Sequence, residues 1–353
     1  MRKNKIKIIK VWVFGSIISI IVTCFIASFF LNTVPEYQYD DELGFYSSPA
    51  DFIINFRKEG WASTHFGRYS IAGIENINEI NEPKVAIWGD SHVEAFQVDD
   101  QYKSHQVLTR IQSNQCSPFV GVGIGQSGWS IADYYFRIQD YERVSDFSYH
   151  FIVLNDFDDT YPNNENFKKN PHFKFTDKGQ NKKPLVEIRH WINQFKLNAL
   201  WAILKNTVTN PLTKKTRTLR FRPGPIDKKQ SDDQLKTSNQ EESWSFVFEK
   251  LKSITKKPIV FVYAPSVPTI YHNKINQGND NSFELSRFKA FSKKYGFDVL
   301  DLTEDWNGFY NTTHQFPRGF INSVPSKGHW NEEGHYLVAK KIGDYLDKHK
   351  TCL

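Results

Sequence analysis

Cysteine is scarce in this chain. The three in 353 residues, Cys24, Cys116 and Cys352, have no zinc-type spacing. A glycine-rich phosphate loop and a helix-turn-helix pattern are also missing, and no internal repeat occurs. The acidic group Asp156, Asp158 and Asp159 offers too few oxygen ligands for a calcium loop. None of these patterns points to a metal ion or a phosphate-bound ligand. Positive charge is scarcer than the net +6 implies, because Arg2, Lys3, Lys5, Lys7 and Lys10 lie in the first ten residues, which hold no acid, and leave +1 for the rest. That balance excludes a general polyanion binder, and no nucleic-acid partner is expected. Disorder is excluded by composition, with 39% hydrophobic and 15% aromatic residues.

What is present begins with residues 1–10, a basic tail, followed by the uncharged, mostly apolar run Val11–Leu31. At about 1.5 Å per residue such a helix just crosses a hydrocarbon core of roughly 30 Å. No convincing cleavage site follows in Asn32-Thr33-Val34-Pro35-Glu36, so the run reads as a retained single-pass anchor in the cytoplasmic (inner) membrane. Its basic flank puts the N-terminus inside and the remainder on the periplasmic or extracellular side. Cys24 sits within this run after Thr23, and it reads as a residue of the membrane helix rather than a lipidation site.

Residues 32–50 are polar and irregular and read as a spacer; 51–353 then show short apolar runs alternating with helical periodicity. Strands are expected at Lys84–Gly89, Pro118–Ile124, His150–Leu154, Pro258–Ala264 and Asp298–Leu302. Helices are expected at Tyr102–Ser113, Ile131–Val144, Glu241–Thr255, Phe283–Tyr295 and Asn331–Lys348. This pattern implies an open, three-layered α/β sheet that binds ligands at the carboxyl ends of its strands. Residues 162–238 interrupt it with 17 Lys and Arg against 6 Asp and Glu. Within this insertion, Leu185–Val208 suits an amphipathic helix, packed on its own domain or lying at a membrane interface, and Lys214–Arg222 forms a basic loop.

The first strand candidate runs into Gly89-Asp90-Ser91-His92. A serine at such a corner is either a helix N-cap or a nucleophile, and the tetrapeptide alone does not decide. A nucleophile needs a base and donors for an oxyanion, and the other segment ends supply them. Gly128 follows the second strand in Gln126-Ser127-Gly128, Asn155 ends the third in Leu154-Asn155-Asp156, and His329 precedes the last helix in Gly328-His329-Trp330-Asn331. His92 and His335 read as structural or pocket-lining.

Ser91, Gly128, Asn155 and His329, in this order, resemble the four signature blocks of the SGNH superfamily, the GDSL-type esterases and lipases, over roughly residues 84–348. The resemblance implies a flavodoxin-like three-layer α/β/α sandwich, the SGNH hydrolase fold, here behind an N-terminal transmembrane helix. It implies acyl-ester chemistry without a cofactor, with Ser91 and His329 catalytic and the N–H groups of Ser91, Gly128 and Asn155 forming the oxyanion hole. One position departs from the family: the aspartate usually found three residues before the histidine is Ser326. A Ser-His dyad aided by a backbone carbonyl is the preferred expectation, with a recruited carboxylate such as Asp301 or Asp305, or a weakened enzyme, as alternatives. The implied topology also brings the ends of the first and last helices to one face, so a Cys116–Cys352 disulfide is expected, against two unrelated thiols. The function expected is a bacterial serine esterase or O-acyltransferase acting on ester-linked acyl, chiefly acetyl, groups of cell-envelope carbohydrate. Trp129 and Trp330 would suit sugar stacking or packing. The alternatives are a lipolytic hydrolase at the membrane surface and a non-catalytic polysaccharide-binding or assembly protein.

Overall fold

The computed structural model describes residues 2–28, 30–113, 115, 118–157, 160, 186–201 and 237–349. Cys116, Cys352, Asp158, Asp159, Lys214–Arg222 and most of the 162–238 insertion lie outside the described residues. The chain opens with helix α1, Arg2–Ser28, whose segment Ile9–Ser28 has a mean hydropathy of 2.3 and is almost wholly exposed. By length and composition this helix can cross a membrane. It ends at Ser28, three residues short of the expected boundary at Leu31.

Two antiparallel hairpins follow, β1 (Gln38–Asp40) with β2 (Phe45–Ser47), and β3 (Ile53–Phe56) with β4 (Ala62–His65). Residues 32–50 are therefore not a spacer. Asp40 Oδ1 accepts the backbone N–H groups of Glu42 and Leu43, which closes the first turn, and Leu43 and Phe45 are buried in the main core. The polar residues that read as a solvated linker close a turn over two apolar anchors.

The body of the protein is β5 (Lys84–Gly89), α2 (Ser91–Glu94), α3 (Ser104–Gln112), β6 (Val120–Gly125), α4 (Ile131–Glu142) and β7 (Tyr149–Leu154). After α5 (Val186–Gln194) come α6 (Thr237–Ile254), β8 (Ile259–Tyr263) and a small hairpin of β9 (Thr269–Tyr271) and β10 (Lys274–Asn276). The chain finishes with α7 (Ser282–Tyr295), β11 (Asp298–Asp301), α8 (Thr303–Thr313) and α9 (Glu332–His349).

Strands β6-β5-β7-β8-β11 form one parallel sheet in that order. Numbered along the chain this is 2-1-3-4-5, the flavodoxin-like order. Successive residues of each strand feed opposite layers, which is why most of the strands read as continuous apolar runs. Ala86 and Trp88 pack with α4, α6 and α7 through Tyr134, Trp244 and Phe288; Val85 and Ile87 pack with α3, α8 and α9 through Leu108, Trp306 and Ile342. The connection reverses direction between β5 and β7, and the register that pairs Gly89 with Gly125 brings the ends of β5, β6 and β7 to one edge. Open α/β sheets bind ligands at such a point.

Candidate active site

Asp90, not Ser91, caps helix α2, since its side chain accepts the His92 N–H at 2.9 Å. The cap of this corner is therefore Asp90. Ser91 is the first helical residue, and its hydroxyl is spared capping duty. Its Oγ lies 2.9 Å from His329 Nε2, and the two rings His329 and His92 stand 4.8 Å apart.

His329 is not a lone base. Its Nδ1 lies 2.6 Å from Glu59 Oε2, and its backbone N–H donates to Glu59 Oε1 at 2.8 Å. The expected dyad is thus corrected: a carboxylate does hold the imidazole, and it comes from the turn between β3 and β4. Asp301 is committed to Lys289 and Thr303, and Asp305 to Lys341. Ser326 is buried, with its hydroxyl accepting the Ile270 N–H at 3.0 Å. Burial alone would raise the Glu59 pKa, but the hydrogen bonds from the His329 ring and backbone outweigh it and keep the carboxyl below the usual range. Glu59 is therefore an ionised partner that fixes Nδ1–H and leaves Nε2 as the acceptor facing Ser91.

Two loops clamp this arrangement. Asn322 at the tip of one loop accepts the Gly60 N–H and donates to the Gly60 carbonyl, each at 2.8 Å, tying Glu59's turn to the chain before His329. Gly328 has φ +84°, and a Cβ there would stand 2.0 Å from Glu59 Oε1, so only glycine lets the carboxylate approach.

Asn155, at the end of β7, donates from Nδ2 to Asp90 Oδ1 at 3.2 Å and lies 2.9 Å from His92 Nδ1. Its Oδ1 accepts from Arg318 at 3.3 Å. One of the two amide N–H groups is spent on Asp90. Gly128 lies beside this edge with φ +84° and open space around it, while the flanking amides of Ser127 and Trp129 bond Glu94 and Gln126.

Arg318 had no signature in the sequence and is the keystone behind these groups. Its guanidinium is buried, and it donates to the carbonyls of Ala264, Pro265 and Gly328, to Asn155 Oδ1 and to His92 Nε2. Five N–H donors meet five acceptors in the planar fork that lysine cannot supply. Desolvation lowers its pKa to about 10, well above neutrality, so it stays charged. Desolvation likewise lowers the pKa of His92, keeping it neutral with Nε2 accepting from Arg318 and Nδ1–H directed at Asp90. His92 is accordingly a structural partner of the site. His335 is also buried and accepts the Ser104 N–H at Nδ1. Trp129 and Trp330 are buried, so both pack and neither offers a stacking face to a sugar. Among the described residues no cluster of three His, Cys, Asp or Glu side chains is arranged to hold a metal ion.

No protein-family model matches the chain, and no curated protein matches it. Similar solved structures include an acetyl xylan esterase, 15% identical over 74% of this chain and 99% of that one, with a TM-score of 0.38. A two-domain esterase active on acetylated mannans is 13% identical over 76% of this chain and 49% of its own, at 0.40. A catalytic mutant of an acetylxylan esterase from Geobacillus stearothermophilus is 12% identical over 75% and 94%, at 0.38. Likenesses of this size carry no function across, and the chemistry is read from this chain's own residues.

Proposed function

We propose that this chain is a membrane-anchored serine esterase or O-acyltransferase of the SGNH type, acting on acyl esters, chiefly acetyl, of cell-envelope carbohydrate. The observation that carries the acyl chemistry is the continuous line Ser91 Oγ, His329 Nε2, His329 Nδ1, Glu59 Oε2, with 2.9 Å and 2.6 Å at its two hydrogen bonds. His329 takes the Ser91 proton as Oγ attacks the ester carbonyl. The oxyanion forms against the N–H groups of Ser91, Gly128 and Asn155, each worth about 3 to 4 kcal/mol where well aligned. Collapse breaks the ester C–O bond, and His329 returns its proton to the departing alcohol. Water, or a sugar hydroxyl in the transferase variant, then surrenders a proton to His329 and attacks the acyl-serine, and His329 gives that proton to Ser91 Oγ as its bond to the acyl carbon breaks. Glu59 stabilises the imidazolium in both halves without becoming protonated.

The carbohydrate clause rests on the motif resemblance and on the anchor, which would hold residues 32–353 at the outer face of the inner membrane with the basic tail inside. The non-catalytic alternative drew its support from an unassisted histidine, and Glu59 removes that ground. The test is hydrolysis of p-nitrophenyl acetate by the purified full chain in detergent beside Ser91→Ala. Turnover lost with Ser91 supports the reading; equal turnover in both, or none in the wild type, overturns it.

A further inference from the structure

The triad's acid is tied to the foot of the membrane helix. Four residues after α1 ends, Asn32 Oδ1 accepts the Arg57 N–H at 2.6 Å, and Thr33 makes reciprocal bonds with Asn55, both at 2.9 Å. Reading back from Thr33 to Asn32 therefore leads along β3 toward the hairpin tip that carries Glu59. With every link extended, Glu59 still lies within roughly 30 Å of the end of α1.

Two exposed apolar sets flank this exit. Trp61 is 62% exposed two residues beyond Glu59, with Arg57 stacked 4.6 Å from its ring, and Ile321 and Val324 lie exposed on the loop that Asn322 clamps to Gly60. On the other side, α5 is fastened to residues 28–36: Asn193 exchanges hydrogen bonds with Val34, and the Ala199 N–H, just beyond the helix, reaches Ser28 Oγ at 3.2 Å. It buries Ile192 and leaves Ile188, Trp191 and Phe195, at i, i+3 and i+7, outward on one stripe. Scattered apolar residues on a surface need no explanation. Here they surround the one place where the chain leaves the bilayer, and they combine tryptophan with arginine as interfacial segments do.

From this juxtaposition we infer that the surface around the Glu59 turn faces the bilayer, and that the ester reaching Ser91 is an amphiphilic one carried on a membrane lipid rather than a freely diffusing molecule. This rests on the esterase and anchor readings, and the experiment separates the three. Full-length protein is reconstituted in vesicles of phosphatidylethanolamine and phosphatidylglycerol with p-benzoylphenylalanine at position 61, 191 or, as a control on α6, 249. Illumination should give lipid adducts at 61 and 191 and none at 249; absence of lipid adducts at 61 and 191 overturns the inference. In parallel, Trp61→Ser with Ile321→Ser should keep hydrolysis of soluble p-nitrophenyl acetate within about twofold while lowering hydrolysis of a vesicle-borne acetate ester of a long-chain alcohol about tenfold. Equal losses on both esters, or no loss on the vesicle ester, contradict it. If the wild type hydrolyses neither ester, the esterase reading fails while the adducts still report on the surface.

Discussion

Glu59→Gln is the most informative single perturbation, because it changes one atom and reverses a tautomer. In the wild type the carboxylate faces Nδ1 at 2.6 Å and the His329 backbone N–H at 2.8 Å. Glutamine keeps the backbone bond through Oε1 and presents an NH₂ group to Nδ1, which then favours the tautomer carrying its proton on Nε2. That proton points at Ser91 Oγ, so the imidazole no longer accepts from it. Losing an oriented acid partner in this way costs roughly 10³ to 10⁴ in kcat, or about 4 to 5.5 kcal/mol of transition-state stabilisation. Glu59 reaches His329 and not the ester, so KM should stay within about threefold while kcat falls. The assay is steady-state hydrolysis of p-nitrophenyl acetate, with circular dichroism and Tm to show that the fold persists. Retention of kcat within about tenfold would refute the assignment of Glu59 and return the site to a dyad.

Further outcomes follow from the same geometry. Asn155→Ala should lower kcat about 10² to 10³. Arg318→Lys, which loses the fork holding the Asn155 amide, should cost much less in the Asn155→Ala background than alone; additive losses would mean that Arg318 does not act through Asn155. Gly328→Ala should lower kcat at least about tenfold by pushing Glu59 from His329, with roughly 1 kcal/mol lost from the positive-φ turn; unchanged kcat would show that Glu59 has room to move aside. Burial raises the pKa values of Glu59 and Asp90, but hydrogen bonds from His329 and His92 lower them further, so both end below the usual range. Such groups add stability above the ordinary carboxylate pKa of about 4 and lose it as the pH falls through their lower folded values. The Tm margin of the wild type over Glu59→Gln should therefore narrow as the pH falls below about 4; a margin that widens below that pH contradicts the sign.

The sheet was readable because strands covered on both faces are apolar along most of their length: Lys84–Gly89 matches its expected bounds, and the other four strands shift by at most two residues. Helix α9 was readable from its cap, and Asn331 Oδ1 does accept the N–H groups of Glu333 and Gly334. Helix α8 escaped notice because only Trp306 is buried along Thr303–Thr313, leaving no stripe to read. Ser91 and His329 stood out because both lie in recognisable corners at strand and helix ends. Glu59 did not, for a physical reason. It lies in the polar turn Arg57-Lys58-Glu59-Gly60, between strands of four residues each, upstream of the nucleophile, and its partner is 270 residues away. Nothing local distinguishes such a carboxylate from a solvated turn residue. Arg318 was hidden in the same way, since its five acceptors come from four separate segments.

The central claim is that the Ser91 hydroxyl is the nucleophile, activated through His329 by Glu59. Its most direct test is to treat the full-length protein with a fluorophosphonate and locate the adduct by peptide mass spectrometry. The account predicts one phosphonylated residue, Ser91, with labelling abolished in His329→Ala and strongly slowed in Glu59→Gln. An unmodified Ser91 in folded wild-type protein, or an adduct that forms equally fast without His329, would contradict it.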